Sequence, residues 1–248
     1  MRTTQTLPWI VFSLFSILLW QVSASVLAQN KKNNVILKQG QFYLASDSSR
    51  IDGINGIFEY KGHAQYKEPG LSINADHLIG RKNKKGQFKS FTAYGSPAIF
   101  SQINPQTGDR LELKANVIKF YIIKQQLIAE INASLVQQSK SNNRLTIEAS
   151  KITVKNQSSK QRQISGKGKP LLLTVVNNGQ QELSASANQL VIKSESEGLL
   201  LSGDVIAKQQ DGTVSAGTFR YNRITKISSF EKSNAEQVEI IQTKSIDQ

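Results

Sequence analysis

One phrase recurs five times in this chain and restricts what it can become. It reads Leu71-x-Ile73-x-Ala75-x-x-Leu78, Leu111-x-Leu113-x-Ala115-x-x-Ile118-x-Phe120, Leu145-x-Ile147-x-Ala149-x-x-Ile152-x-Val154, Leu183-x-Ala185-x-Ala187-x-x-Leu190-x-Ile192 and Val214-x-Ala216-x-x-Phe219-x-Tyr221. Its alanines lie 40, 34, 38 and 29 residues apart, a repeat of about 35 residues. Up to the alanine the apolar residues alternate, as on one face of a strand. After it they fall at +3 and +5 rather than +2 and +4. One extra residue returns the same face to the interior, which is the action of a β-bulge. Each unit is therefore predicted to be a strand, a bend at a small residue, and a continuing strand. Alanine suits an inward corner with little room.

A second strand type lies between these phrases. Phe58-Glu59-Tyr60-Lys61-Gly62-His63-Ala64, Phe91-Thr92-Ala93-Tyr94-Gly95-Ser96-Pro97-Ala98, Leu127-Ile128-Ala129-Glu130-Ile131-Asn132-Ala133 and Leu199-Leu200-Leu201-Ser202-Gly203-Asp204-Val205 each set an apolar strand before Gly or Asn, with Ser165-Gly166-Lys167-Gly168-Lys169-Pro170 as a worn copy. Gly or Asn there predicts a positive φ or a close backbone approach. Turn-forming clusters such as Asn104-Pro105-Gln106-Thr107-Gly108-Asp109 and Asn177-Asn178-Gly179 join the strands. The fold class is all-β, a long antiparallel meander folded across itself, with no long helix after the N-terminal segment. From Ser229 the chain turns polar, and residues 229–248 read as a tail in which Val238-Glu239-Ile240-Ile241 forms one more short strand.

Residues 1–28 read as an address rather than as fold. Arg2 is followed by an apolar run from Pro8 through Leu18-Leu19-Trp20 and by small residues ending in Ala28, the layout of a secretory signal peptide. Cleavage is expected after Ala28, with Val22-Ser23-Ala24 as a second site. The competing reading is an uncleaved anchor, since Pro8–Ala28 almost reaches the length of a membrane span. Either way the remainder lies outside the cytoplasm. An exported chain of 248 residues with no cysteine points to a Gram-negative periplasm.

The composition removes several chemistries. Without cysteine there is no disulfide scaffold, thiolate-bound zinc or thiol nucleophile, and two histidines do not make a multi-histidine metal centre. No P-loop and no Gly-x-Ser-x-Gly elbow occurs, so Asp76-His77 has no evident nucleophile to serve. His63 and His77 read as exposed strand residues, and no acidic pair stands apart from the turns. No catalytic residue, metal or cofactor is expected. The formal net charge is +13. Nucleic acid would suit that charge, but export and an aromatic content of 7% argue against it.

The order of short motifs resembles the LptA/OstA-like family of periplasmic lipopolysaccharide-transport proteins. The resemblance runs over about residues 34–154, through Asp52–Ala64, Leu71-Ser72-Ile73-Asn74-Ala75-Asp76, Ala93–Gln102, Ala115-Asn116-Val117-Ile118 and Asn132–Gln138; Gly95-Ser96-Pro97-Ala98-Ile99-Phe100-Ser101-Gln102 is the most specific piece. It implies a β-jellyroll, a folded and slightly open array of two sheets, with residues 29–154 as its core. The strand repeats continue through 155–228 and are expected to lengthen the same jellyroll. It also implies that acyl chains travel along the interior. The expected partners are lipopolysaccharide, an inner-membrane LptC-like protein and an outer-membrane LptD-like protein, with head-to-tail self-association.

Strand alternation points Phe58, Tyr60, Ile73, Ala75, Leu78, Phe91, Phe100, Leu111, Leu113, Ile118, Phe120, Leu127, Leu135, Ile147 and Ile152 inward. Ordinary core packing accounts for each of them singly; the resemblance makes them the lipid-binding face. Arg81, Lys82, Lys84 and Lys85 crowd one turn and are candidates for contact with phosphate-bearing headgroups. The alternative reading of these cations is a solvated turn and a guarded sheet edge. Two rival functions remain at this level: a membrane-anchored, LptC-like component of the same pathway, and a secreted structural or adhesive β-solenoid.

Overall fold

A computed structural model describes residues 37–39, 41–158, 161–193, 198–209, 212–232 and 237–242. The N-terminal apolar segment lies outside the described residues. Everything regular is β: β1 (Tyr43–Ala45), β2 (Ser48–Asp52), β3 (Ile57–Glu68), β4 (Leu71–Lys82), β5 (Phe88–Ile103), β6 (Arg110–Tyr121), β7 (Gln126–Gln138), β8 (Arg144–Ser158), β9 (Gln161–Asn177), β10 (Gln180–Lys193), β11 (Gly198–Gln209), β12 (Gly212–Asn222), β13 (Ser228–Glu231) and β14 (Glu239–Gln242). From β3 to β12 each strand pairs antiparallel with the next, in one sheet that does not close on itself. Among the described residues no helix occurs, and none is long and apolar enough to cross a membrane.

The sheet is bent across the middle of every long strand. Register slips between Lys61 and Ala64, Asn74 and His77, Lys114 and Val117, Glu130 and Ala133, Glu148 and Lys151, Ala187 and Gln189, and Ser202 and Val205. In β6 the buried positions are 111, 113 and 115, then 118 and 120; in β10 they are 183, 185 and 187, then 190 and 192. The step of three read from the sequence is thus the step across the bend.

The intervening strands use two other devices. In β3, β7 and β11 two consecutive residues take positive φ: Gly62 (73°) with His63 (46°), Ile131 (67°) with Asn132 (56°), and Gly203 (76°) with Asp204 (50°). In β5 and β9 the bend is Gly95-Ser96-Pro97 and Gly168-Lys169-Pro170, each with a cis proline and no positive φ. A Cβ on Gly95 would lie 2.8 Å from the Ala98 nitrogen, and one on Gly168 would lie 2.9 Å from the Pro170 oxygen. Both sequence alternatives, positive φ and close backbone approach, are therefore realised in alternate strands.

The bends divide the sheet into two layers. The first contains the strand ends joined by the turns at 53–56, 83–87, 122–125 and 223–227; the second contains those joined at 69–70, 104–109, 139–143 and 178–179. Among the described residues, backbone approaches between strands occur only between hydrogen-bonded neighbours. The layers consequently meet through side chains, as stacked sheets about 10 Å apart do. Tyr66 of the second layer lies 6.0 Å from Phe91 of the first, and Phe100 lies 6.4 Å from Phe120 in the same sense. Phe100, Leu113, Leu135, Ile147 and Ile152 are fully buried in this shared core.

Along the crease the facing residues are small: Ala64 opposite Ala75, Ala98 opposite Ala115, Ala133 opposite Ala149. The outer face is polar, and Glu130 there accepts from Lys119 (2.6 Å) and Lys151 (2.7 Å) across three strands. Those two ammonium groups hold the Glu130 carboxyl below the usual carboxylate range.

Both ends of the sheet are broken strands. β1 and β2 pair with successive parts of β3, and the gap between them falls at its bend. There the Asp47 N–H donates to the Gly62 carbonyl (2.9 Å), and the Asp47 carboxylate lies 2.9 Å from His63 Nδ1. That carboxylate raises the affinity of exposed His63 for a proton. β13 and β14 pair with the two halves of β12 in the same manner, drawing residues 229–231 and 239–242 of the stretch read as a tail into the sheet. Ala115 is completely buried opposite Ala98. Ala115→Leu should therefore lower stability by about 1–3 kcal/mol through overpacking of the crease. Lys114→Ala, on the outer face beside it, should change stability by less than about 0.5 kcal/mol. Urea unfolding of both variants checks this.

Candidate functional site: an apolar trough between two rims

Twelve of the fifteen apolar residues picked out from the sequence are buried on the inward face: Ile73, Ala75, Leu78, Phe100, Leu111, Leu113, Ile118, Phe120, Leu127, Leu135, Ile147 and Ile152. Tyr60 and Phe91 are half-buried and pack against that core. Phe58 is half-buried at its margin, beside Phe88 at 5.5 Å. Strand alternation made all fifteen legible. The same core runs on through Ile164, Leu173, Leu183, Leu190, Leu201 and Phe219, so the apolar interior extends from β3 to β12. The sequence carried the signal for that extension in the phrases at 183–192 and 214–221.

Side chains of the interior are fully buried in the middle of the sheet and partly exposed at its N-terminal end. There a chain of rings runs Phe42–Tyr66 (5.9 Å), Tyr66–Phe91 (6.0 Å), Phe91–Phe88 (4.9 Å) and Phe88–Phe58 (5.5 Å). Gly80 makes room for it: a Cβ would lie 3.0 Å from the Phe91 ring and 3.3 Å from that of Phe88. Lys82 covers the outer end, its Nζ 4.5 Å from the Phe58 ring centre and 4.8 Å from that of Phe88. Ammonium over two ring faces is a favourable arrangement. Arg81, Lys84 and Lys85 stand exposed around it. The crowding expected from sequence is therefore real, and it sits at the mouth of the trough.

At the C-terminal end the rims are drawn together. Lys226, in the turn after β12, forms an ion pair with Glu182 near the start of β10. Tyr221 also bonds Glu182, and burial first, then that carboxylate, pushes its hydroxyl up to about 12. A 220 Å³ cleft lies between these rims, lined by Arg144, Asn143, Glu182, Arg223 and Lys226 among others. A larger one of 570 Å³ lies over Leu199, Leu200, Tyr221 and Ile227. Sequence reasoning had no access to the Glu182–Lys226 contact, which joins residues 44 positions apart.

The histidines differ from each other. His63 is exposed as expected, whereas His77 is half-covered, stacked on Tyr94 at 5.7 Å with Nε2 2.9 Å from the Glu59 carboxylate. The expectation of an exposed His77 fails because the neighbouring strand places Tyr94 directly opposite it. Among the described residues no group of three or more His, Cys, Asp or Glu is placed to hold a metal ion.

The site is a single antiparallel sheet folded on itself, with a continuous packed apolar interior, cations at one mouth and two unclosed edges. Comparison with protein families identifies the class. Residues 43–144 and 141–227 both match the model described as LptA/(LptD N-terminal domain) LPS transport protein. The chain belongs to this family of lipopolysaccharide-transport proteins. Among solved structures, LptH of Pseudomonas aeruginosa, described as the LptA homologous periplasmic component of the lipopolysaccharide transport device, is similar at 17% identity and TM-score 0.42, over 46% of this chain and 76% of that one. No curated protein matches the chain.

Glu68 lies on the second rim, where burial raises its carboxyl above the ordinary 4.5 although the Tyr66 hydroxyl donates to it (3.2 Å). The folded state then binds more protons than the unfolded chain at pH values above about 4.5. Stability attributable to Glu68 is full below that value and declines as pH rises through the raised folded pKa. Glu68→Gln should remove this part of the decline. Urea midpoints of the two proteins at about pH 4 and pH 7 measure it.

Proposed function

We propose that this chain is a periplasmic carrier that passes lipopolysaccharide from an inner-membrane extraction complex toward the outer-membrane assembly. The acyl chains lie between the two layers. The observation that carries the reading is the unbroken apolar interior from β3 to β12 in a sheet that ends in unclosed edges. Each buried CH₂ is worth about 0.8 kcal/mol, so releasing a lipid with several acyl chains into water presents a prohibitive barrier. A carrier without an energy source of its own must let each methylene exchange one apolar contact for another. The core is filled in this structure, so binding requires the layers to part. The ring chain at the β3–β5 end, half-buried under Lys82, is the place where parting uncovers least well-packed surface.

Among the described residues, the outer edges of β1–β2 and β13–β14 present unpaired strand backbone. They are templates for strand addition by an LptC-like partner, an LptD-like partner or a further copy of this chain. Head-to-tail addition of this kind does not close and extends the trough. The family description and the leader-like N-terminal segment both support a carrier outside the cytoplasm, without catalysis.

Photo-crosslinking amino acids at Ile73 and at Phe120 should capture lipopolysaccharide in cells, and one at outward-facing Asn74 should not. Capture from Asn74 alone would sink the trough model. The apolar run Pro8–Ala28 favours one alternative, a membrane-anchored LptC-like component. The mass of the mature protein separates the two: loss of the first 28 residues is expected here, and an intact Met1 would support the anchored form.

A further inference from the structure

The two rims of the trough carry unequal charge. On the first layer, Lys84 and Lys85 lie in the turn between β4 and β5, with Arg81 and Lys82 at the end of β4 and Lys89 at the start of β5. The next turns along the same rim add Lys124 between β6 and β7, then Lys155 at the end of β8 and Lys193 at the end of β10. Arg223 and Lys226 follow after β12, Lys226 already paired with Glu182. Asp52 is the acid of this rim among the described residues, and it is occupied by the Asn55 backbone N–H (2.9 Å) and side-chain amide (2.8 Å). Glu195 and Glu197, in the connection between β10 and β11, lie outside the described residues and leave the first rim cationic on balance. The second rim is mixed: Lys67 stands beside Glu68, Arg110 beside Asp109, and Arg144 lines the smaller cleft with Glu182, while Lys140 and Lys208 add two further exposed cations.

The basic rim is also physically continuous. The Ile122 N–H donates to the Lys89 carbonyl (3.2 Å), and the Asn156 N–H donates to the Gln125 carbonyl (3.1 Å), so neighbouring turns are tied to one another. Turns recur on one rim every second strand. At a strand spacing of about 4.8 Å, that places a cationic turn about every 10 Å. The Debye length at physiological salt is about 8 Å. Between the turns at 83–87 and 122–125 the attraction exerted by one turn therefore meets that of the next without a neutral gap.

We infer that the first-layer rim is a track for anionic headgroups, which orients a phosphorylated glycolipid with its phosphates along the turns at 83–87, 122–125 and 223–227 and its tails between the layers. This inference rests on the carrier reading above and adds a direction to it. The lipid lies with its head toward one rim only, and its phosphates slide from turn to turn while its chains slide in the core. A phosphate near either rim would gain equally if net charge alone were at work. The one-sided distribution, with Lys82 folded over the rings at the mouth, selects the first rim.

The test uses the full chain with two probes, bisphosphorylated lipid A and the same lipid A after enzymatic dephosphorylation. One variant combines Lys85→Glu, Lys124→Glu and Lys155→Glu on the first rim. Its control combines Arg110→Glu, Lys140→Glu and Lys208→Glu on the second; all six side chains are exposed. Both variants change the net charge equally. The first-rim variant should lose about tenfold in affinity for the bisphosphorylated lipid and keep its affinity for the dephosphorylated one. The retained affinity also reports that the variant is folded. The second-rim variant should bind both lipids as the parent protein does. Equal losses from the two variants, or no loss from the first, would overturn the track while leaving the carrier reading intact. Failure of the parent protein to bind either lipid would overturn the carrier reading and the track with it.

Discussion

Everything in this molecule depends on the bend in the middle of each strand. A single sheet has two faces, and a sheet of fourteen strands with one apolar face has nothing to cover it. Folding the sheet across its own strands lets one apolar face cover itself. That works only if the inward face before the bend is also inward after it, which a regular strand with a side-chain period of two does not provide by itself. The irregular step in each strand solves this, and the alanines facing each other at the crease allow the backbones to approach.

The bend is made in three ways, and their order is informative. The positive-φ pairs at 62, 131 and 203 are 69 and 72 residues apart, and the prolines at 97 and 170 are 73 apart. The bulged strands that contain the alanine phrase alternate with both. The structural period is therefore four strands and about 70 residues, twice the period of the apolar phrase. The two successive matches to the family model, 43–144 and 141–227, meet at the turn between β7 and β8. Hydrogen bonding between β7 and β8 joins them in uninterrupted register apart from the bend itself. Each unit thus finishes the edge of the other, and unsatisfied strand backbone is left only at β1–β2 and β13–β14 among the described residues.

Among the described residues the layers are held together by side chains alone, since no backbone contact crosses between them. Under the proposed carrier reading, a cargo that parts them exchanges apolar contacts for apolar contacts and breaks no ladder hydrogen bond. Burial is graded along the length. It is greatest where Phe100, Leu113 and Leu135 are sealed, and least where Phe58, Phe88 and Phe91 are half-buried. Rim contacts such as Glu182 with Lys226 add a polar closure at the opposite end. Exposed ion pairs of that type contribute little individually and can open at small cost.

By itself, the sequence determined the all-β class, the strand repeat, the position of the bends and the inward face of every phrase. These are local properties: side-chain alternation, an extra residue beside an alanine, a glycine or asparagine where φ must be positive. Even the apolar residues of the trough were readable, because facing inward depends only on strand parity. Tertiary structure decided what parity cannot express. It set which bends use a cis proline, which strand covers His77 with Tyr94, and that Glu182 meets Lys226 across 44 residues. It also set the larger share of the turn cations on one rim. A charge in a turn looks the same in sequence whichever end of the strand it occupies, and only the folding of the sheet gives the two ends different neighbours.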